Sequence, residues 1–150
     1  MTKKPKTKVL MVCLGNICRS PLAEGILNSK TTSIIVDSAG TGGWHVGNLP
    51  DKRSVAIAKI NGIDLTNQRC RKFEINDFDE FDFIYVMDDS NYLDIISLAR
   101  NESDKTKVHY ILPDNKNVPD PYYGGDKGFE NIYIMLVDAC DFIIKKNNFS

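Results

Sequence analysis

The run Lys8-Val9-Leu10-Met11-Val12-Cys13 is apolar from Val9 onward, breaks at Leu14-Gly15-Asn16, and is followed at once by Ser20-Pro21. A continuous apolar run of this length suits a strand buried on both faces of a parallel sheet, rather than one with a wet side. After the loop, Ser20 can cap a helix whose first position is Pro21, with Glu24 in the first turn and Leu22, Ala23, Ile26 and Leu27 along one face. The N-terminal region is therefore strand, tight loop, helix. A strand buried in this way needs parallel neighbours on crossover connections, which restricts the chain to an α/β arrangement.

The alternation recurs downstream. Residues 34–36 read as a second strand, 51–60 as a helix closed by Asn61-Gly62, 83–87 as a third strand, 90–99 as a helix and 108–112 as a fourth strand. Phe129, Ile132, Tyr133, Leu136, Val137, Cys140, Ile143 and Ile144 keep helical spacing and predict one long amphipathic C-terminal helix. The expected fold is α/β in three layers, a four-stranded parallel sheet flanked by helices with right-handed crossovers. With 150 residues, 42% hydrophobic and 26% charged, one domain over 1–150 is expected, residues 1–6 forming a flexible lysine-rich tail.

A net charge of -1 provides no global field for nucleic acid or a membrane surface, so any anion site must be local. No apolar run approaches the ~20 residues of a membrane span, and no signal-peptide core follows the basic start. A cytoplasmic protein is expected. Cys13, Cys18, Cys70 and Cys140 are too few and too scattered for a disulfide scaffold, and no Cys or His pair has zinc spacing, so no metal is expected.

In open α/β sheets ligands collect beyond the carboxyl ends of the strands, which directs attention to Cys13-Leu14-Gly15-Asn16-Ile17-Cys18-Arg19-Ser20. Gly15 and Asn16 both tolerate positive φ, so the loop can turn successive backbone N–H groups inward as an anion-binding nest, with the following helix N-terminus adding positive potential. Arg19 brings a fork that matches two phosphate oxygens, and the Cys13 sulfur would lie under the bound anion in surroundings that favour thiolate over thiol. A buried cysteine beside an arginine paired with some carboxylate is the plainer alternative. The segment Val118-Pro119-Asp120-Pro121-Tyr122-Tyr123-Gly124-Gly125, after the fourth strand, is a candidate second wall.

The stretch from Val12 to Pro21, followed by Leu22-Ala23-Glu24, resembles the phosphate-loop motif of low-molecular-weight protein tyrosine phosphatases. Asp37-Ser38-Ala39-Gly40-Thr41, Trp44, Val46-Gly47, Asp51, Arg53, Gly62-Ile63, Met87-Asp88 with Ser90-Asn91, and Asp120-Pro121-Tyr122-Tyr123-Gly124 fall in that family's order, so the resemblance spans nearly the whole chain. It implies the phosphotyrosine phosphatase I-like, Rossmann-like fold and hydrolysis of protein phosphotyrosine without a cofactor. Cys13 would attack phosphorus to form a cysteinyl-phosphate, and Arg19 with the loop residues Leu14, Gly15, Asn16, Ile17, Cys18 and Ser20 would hold the phosphate. Asp120 would protonate the leaving oxygen and then activate water. Ser20 would hydrogen-bond the Cys13 sulfur, and Trp44, Tyr122 and Tyr123 would wall a deep slot for the phenyl ring, its apolar lining completed by Leu14 and Ile17.

The same resemblance implies that Ser38 and Gln68 support the loop, and that Cys18 forms a reversible disulfide with Cys13 under oxidation. It also implies phosphotyrosine-containing proteins as substrates and inorganic phosphate or a similar oxyanion as an occupant of the site, with no nucleic acid or membrane partner. Gln68 stands where many relatives carry a titratable His, and His45 where some carry Asn. A phosphoarginine phosphatase of the same fold carries Thr where this chain has Ile17. A thioredoxin-coupled arsenate reductase needs redox cysteines after the third strand, and Asp88-Asp89-Ser90-Asn91-Tyr92-Leu93 has none. A phosphate-binding module without turnover is the remaining rival, while a P-loop kinase lacks its Gly-Lys-Ser/Thr here.

Overall fold

In the computed structural model residues 6–121 and 125–149 are described, so Tyr122 and Tyr123, and residues 1–5 of the expected tail, lie outside the described residues. The chain runs β1 (Thr7–Cys13), α1 (Arg19–Lys30), β2 (Ile34–Gly40), α2 (Lys52–Ile60), α3 (Asp77–Glu80), β3 (Phe83–Val86), α4 (Asp89–Leu98), α5 (Glu102–Thr106), β4 (Val108–Tyr110) and α6 (Gly125–Lys146). The sheet order is β2-β1-β3-β4, every pair parallel, as expected for the predicted fold class. The connection from β1 leads to one side, to β2, and the connection from β2 returns across β1 to β3, so the crevice between the ends of β1 and β3 is the switch point where ligands bind in such sheets.

The continuous apolar run has its explanation in the two cores. Val9, Met11 and Cys13 face a layer with Leu22, Ile26, Leu136 and Cys140 of α1 and α6. Leu10 and Val12 face the other layer, with Phe78 and Ile95 of α3 and α4. Successive residues of β1 thus point into different cores, and neither face tolerates a polar residue. On α6, Phe129, Ile132, Leu136, Ala139, Cys140 and Ile143 are buried, the three-and-four spacing of a helix covering one face of the sheet.

Several boundaries differ from expectation. Helix α1 begins at Arg19, with Cys18 at the cap and no side-chain cap bond, so Ser20 is not the cap, Pro21 is not the first position and Glu24 is not in the first turn. The Ser20 hydroxyl is committed elsewhere, and Pro21 still falls where a helix N–H has no intrahelical partner. Strand β2 continues four residues past the expected 36, to Gly40, because Asp37 to Gly40 pair with Leu10 to Cys13. The short helices α3 and α5 were not expected from apolar periodicity. For α5 the cap is explicit, Asn101 accepting from the Asp104 N–H.

Candidate active site

The loop after β1 is held by its carbonyls. Cys13 O accepts from Thr41 N (2.9 Å), Leu14 O from Gly42 N (2.8 Å) and Ile17 O from Asp51 N (2.8 Å). Asn16 O accepts from the Cys70 thiol at 2.8 Å, and Cys18 O from Leu22 N at 3.3 Å. In a planar trans peptide the N–H points opposite to the C=O. Each such bond therefore turns the next residue's amide toward the concave side, above Cys13 and in front of the N-terminus of α1. Positive φ is needed once only, at Asn16 (56°), and not at Gly15 as well. Gly15 matters for space, since a Cβ there would lie 3.2 Å from the His45 ring. Gly40 is stricter: its Cβ would meet Leu14 O at 2.9 Å and Asn16 N at 3.0 Å, backbone atoms that cannot yield.

A hydrogen-bond chain runs beneath the loop. Asn16 Oδ1 accepts from Arg71 N (2.9 Å), so its Nδ2 donates to both Ser20 Oγ and Ser38 Oγ, each at 2.9 Å. Ser38 donates onward to Glu24 Oε1 at 2.6 Å, and the Ser20 hydroxyl is hydrogen-bonded to Cys13 Sγ at 3.0 Å. The serine expected as a helix cap makes no cap bond, and its hydroxyl meets the buried sulfur as the resemblance implied. Asn16 is only 1% exposed, so its side chain braces the loop rather than lining the site.

Arg19 is buried beneath the crevice. Its NH1 donates to Asp88 Oδ2 at 2.6 Å and to Val118 O at 2.9 Å, and NH2 lies 3.8 Å from Asp120 Oδ2. Burial works against the guanidinium charge, but Cys13, Asp88 and Asp120 more than offset it, so the side chain is held more firmly protonated than usual. Asp88 has two tasks: Oδ1 accepts from Asn91 N as the cap of α4, and Oδ2 orients Arg19. Its neighbour Met87 O accepts Val118 N at 2.7 Å, which brings the segment bearing Asp120 to the crevice.

Cys13, Leu14, Gly15, Ile17, Cys18, Arg19, Trp44, His45 and Asp120 line one cavity of about 240 Å³. Trp44 is 70% exposed, its ring lying where a side chain on Gly42 would stand. Of the slot expected from Trp44, Tyr122 and Tyr123, only the Trp44 side is described. Cys18 is buried, and its thiol is pushed far up by burial and then by Asp51 and Cys13. Gln68 is set back from the loop: its Nε2 donates to Pro21 O of α1 at 3.0 Å, and no loop contact of its side chain is seen among the described residues. A roomier cleft of about 470 Å³ between β4 and the end of α6 contains neither cysteine nor arginine among its described walls.

Asp88, Glu24, Arg71 and Cys70 were not singled out for roles by the sequence. For Asp88 a signal existed, since a capping carboxylate immediately after a central strand faces the switch point. Glu24 is lifted from its ordinary 4.5 to about 7, chiefly by burial, with Asp37 adding to it and the Ser38 bond opposing. A carboxyl raised in the fold binds its proton more tightly than in the unfolded chain, so stability is full below the unfolded value and is lost as pH rises toward 7. Glu24→Gln keeps an acceptor for Ser38 and removes the charge. It is expected to gain on the parent by up to about 3 kcal/mol between pH 5 and 8. Thermal unfolding at the two pH values checks this, and a constant difference would show that Glu24 is not a raised carboxyl.

Comparison with known proteins extends these observations. A family model for low molecular weight phosphotyrosine protein phosphatases matches residues 8–147. A low molecular weight phosphotyrosine protein phosphatase of Schizosaccharomyces pombe is 43% identical over 97% of this chain and 98% of its own. Among solved structures, a protein tyrosine phosphatase of Entamoeba histolytica with Hepes in its active site superposes with a TM-score of 0.87 at 37% identity, covering 95% of this chain and 97% of that one. A Drosophila arginine phosphatase superposes at 0.85 with 32% identity, covering 94% and 98%.

Proposed function

The chain belongs to the low molecular weight phosphotyrosine protein phosphatase family, and on that footing we propose that Cys13 is its nucleophile, Arg19 its phosphate clamp and Asp120 its general acid and base. The enzyme hydrolyses protein phosphotyrosine through a cysteinyl-phosphate. One observation carries the residue assignment: Cys13, Arg19 and Asp120 converge on a single cavity whose floor is a sulfur hydrogen-bonded to Ser20.

Cys13 sulfur attacks phosphorus in line while the phosphorus–oxygen bond to the phenol breaks, and Asp120 delivers its proton to the departing oxygen. Arg19 and the inward amides of Leu14 to Arg19 match the charge on the equatorial oxygens. Asp120, now a carboxylate, takes a proton from water as the water attacks phosphorus. Sulfur then leaves as thiolate into the Ser20 hydrogen bond, and phosphate is released. Ser38, with Asn16, sustains the loop, Gln68 steadies α1 one step behind it, and Cys18 is the thiol that closes a reversible disulfide on Cys13 under peroxide.

Leu14, Ile17 and Trp44 form an apolar throat above the cup, which favours a flat phenyl ring and holds the short phosphoserine ester away from the floor. The bulky apolar Ile17 supports phosphotyrosine over phosphoarginine. Reliance on a reduced thiol fits a cytoplasmic setting, and among the described residues no helix is long and apolar enough to cross a membrane. Turnover of matched phosphotyrosine, phosphoserine and phosphoarginine peptides tests the reading. Phosphotyrosine should be preferred in kcat/KM by at least about tenfold, the scale of discrimination an apolar pocket can give. Equal or better turnover of phosphoarginine would overturn it.

A further inference from the structure

Cys70 is absent from the cavity wall and 3% exposed, yet it touches the loop from behind. We propose that the Cys70 thiol is a positioning residue: by donating to the Asn16 carbonyl it sets the peptide plane that aims the Ile17 amide at the bound phosphate. The inference rests on the reading of residues 13–19 as a phosphate cup.

The geometry argues for this in three steps. Asn16 holds φ at 56°, a region Asn tolerates better than most L-residues but still at a cost that its contacts must offset. Its two oxygens are held by one stretch of chain. Cys70 Sγ reaches Asn16 O at 2.8 Å, and the next residue, Arg71, gives its N–H to Asn16 Oδ1 at 2.9 Å, so both oxygens of Asn16 are held from the same side. The stretch is itself immobilised. Gly40 N donates to Arg71 O (2.9 Å) and Phe73 N to Gly40 O (2.7 Å), while the Arg71 guanidinium is paired with Asp37 and Asp77.

Second, the Asn16 carbonyl and the Ile17 N–H belong to one planar unit. Withdrawing the thiol leaves a buried carbonyl without its donor and frees the unit to rotate, which swings the Ile17 amide off the phosphate. Third, Cys70 ties the cup to the slot wall. Its N–H donates to Asn48 O and its carbonyl accepts from Gly47 N, each at 2.8 Å, and these residues close the turn that carries Trp44 and His45. Burial, followed by the nearby Cys13, pushes the Cys70 thiol up to about 11, so it keeps its proton, and its role as donor, across the working range.

The test compares Cys70→Ala, which removes the donor, with Cys70→Ser, which restores one. Inhibition by inorganic phosphate and the split of kcat from KM on p-nitrophenyl phosphate are read on folded protein. Cys70→Ala should weaken phosphate inhibition and lower kcat/KM about threefold to tenfold, the worth of one hydrogen bond, with kcat falling as well as KM rising. Cys70→Ser should recover most of both. If Cys70→Ala changes only the melting temperature, or if Cys70→Ser is as impaired as Cys70→Ala, the positioning role is overturned. If inorganic phosphate fails to inhibit the unaltered chain, the cup itself is wrong and the role falls with it.

Discussion

Cys13→Ser is expected to abolish turnover while leaving the oxyanion site in place. Oxygen can occupy the position of the sulfur, since Ser20 Oγ is 3.0 Å away and the surroundings are close-packed, with Cys13 only 2% exposed. What is lost is nucleophilicity. A serine hydroxyl attacks only when an adjacent base removes its proton, and the group hydrogen-bonded to residue 13 is another hydroxyl rather than a base. The loop amides and Arg19 are untouched. The rate on p-nitrophenyl phosphate should therefore fall by about 10⁴-fold or more, on the scale seen when a covalent nucleophile is removed. Inorganic phosphate should still raise the melting temperature, because a ligand that binds only the folded chain stabilises it. Retention of more than a few per cent of the rate would mean that the sulfur is not the attacking group. Loss of phosphate stabilisation along with the rate would mean that the substitution collapsed the cup.

Much of this arrangement was legible in the sequence because it is local. A strand that must satisfy two cores and then end at Cys13, a loop with two residues able to take positive φ, and an apolar helix face all express themselves within twenty residues of one another. Contacts set by the register of the sheet did not show. Arg71 and Cys70 reach Asn16 across more than fifty residues, and Asp88 reaches Arg19 across sixty-nine. Such pairs follow from which strand lies beside which, and no spacing within the motif announces them.

Gly40 illustrates the same limit. In the sequence it is one glycine in Asp37-Ser38-Ala39-Gly40-Thr41; in the fold it lies opposite Cys13, and the loop after β1 rests on its bare Cα. Ser20 shows a different limit. Its residue type is equally suited to capping a helix and to bonding a sulfur; local spacing suggested the first, and the family resemblance the second. In the fold it makes no cap bond: its hydroxyl accepts from the Asn16 amide and is hydrogen-bonded to the Cys13 sulfur.

Asp120→Asn should lower kcat on a phosphotyrosine peptide by about 10²–10⁴, the usual span for general acid catalysis. The assignment has a competitor that the geometry itself raises. Asp120 Oδ2 lies 3.8 Å from Arg19 NH2, so the carboxylate could act by holding the guanidinium rather than by moving a proton. Magnitudes favour proton transfer. The Arg19 side chain is already gripped by Asp88 at 2.6 Å and by Val118 O at 2.9 Å, while the Asp120 side chain is 47% exposed, and an ion pair so open to water is worth about 1 kcal/mol or less. Losing it would cost roughly fivefold, far below the span expected for an acid. The leaving group decides between them. A proton donor matters most when the departing oxygen is basic, so Asp120→Asn should damage turnover of phosphotyrosine much more than that of an ester of a strongly acidic phenol, and phosphate inhibition should barely change. If both esters slow by the same factor and phosphate inhibition weakens with them, Asp120 serves Arg19, and another group must supply the proton.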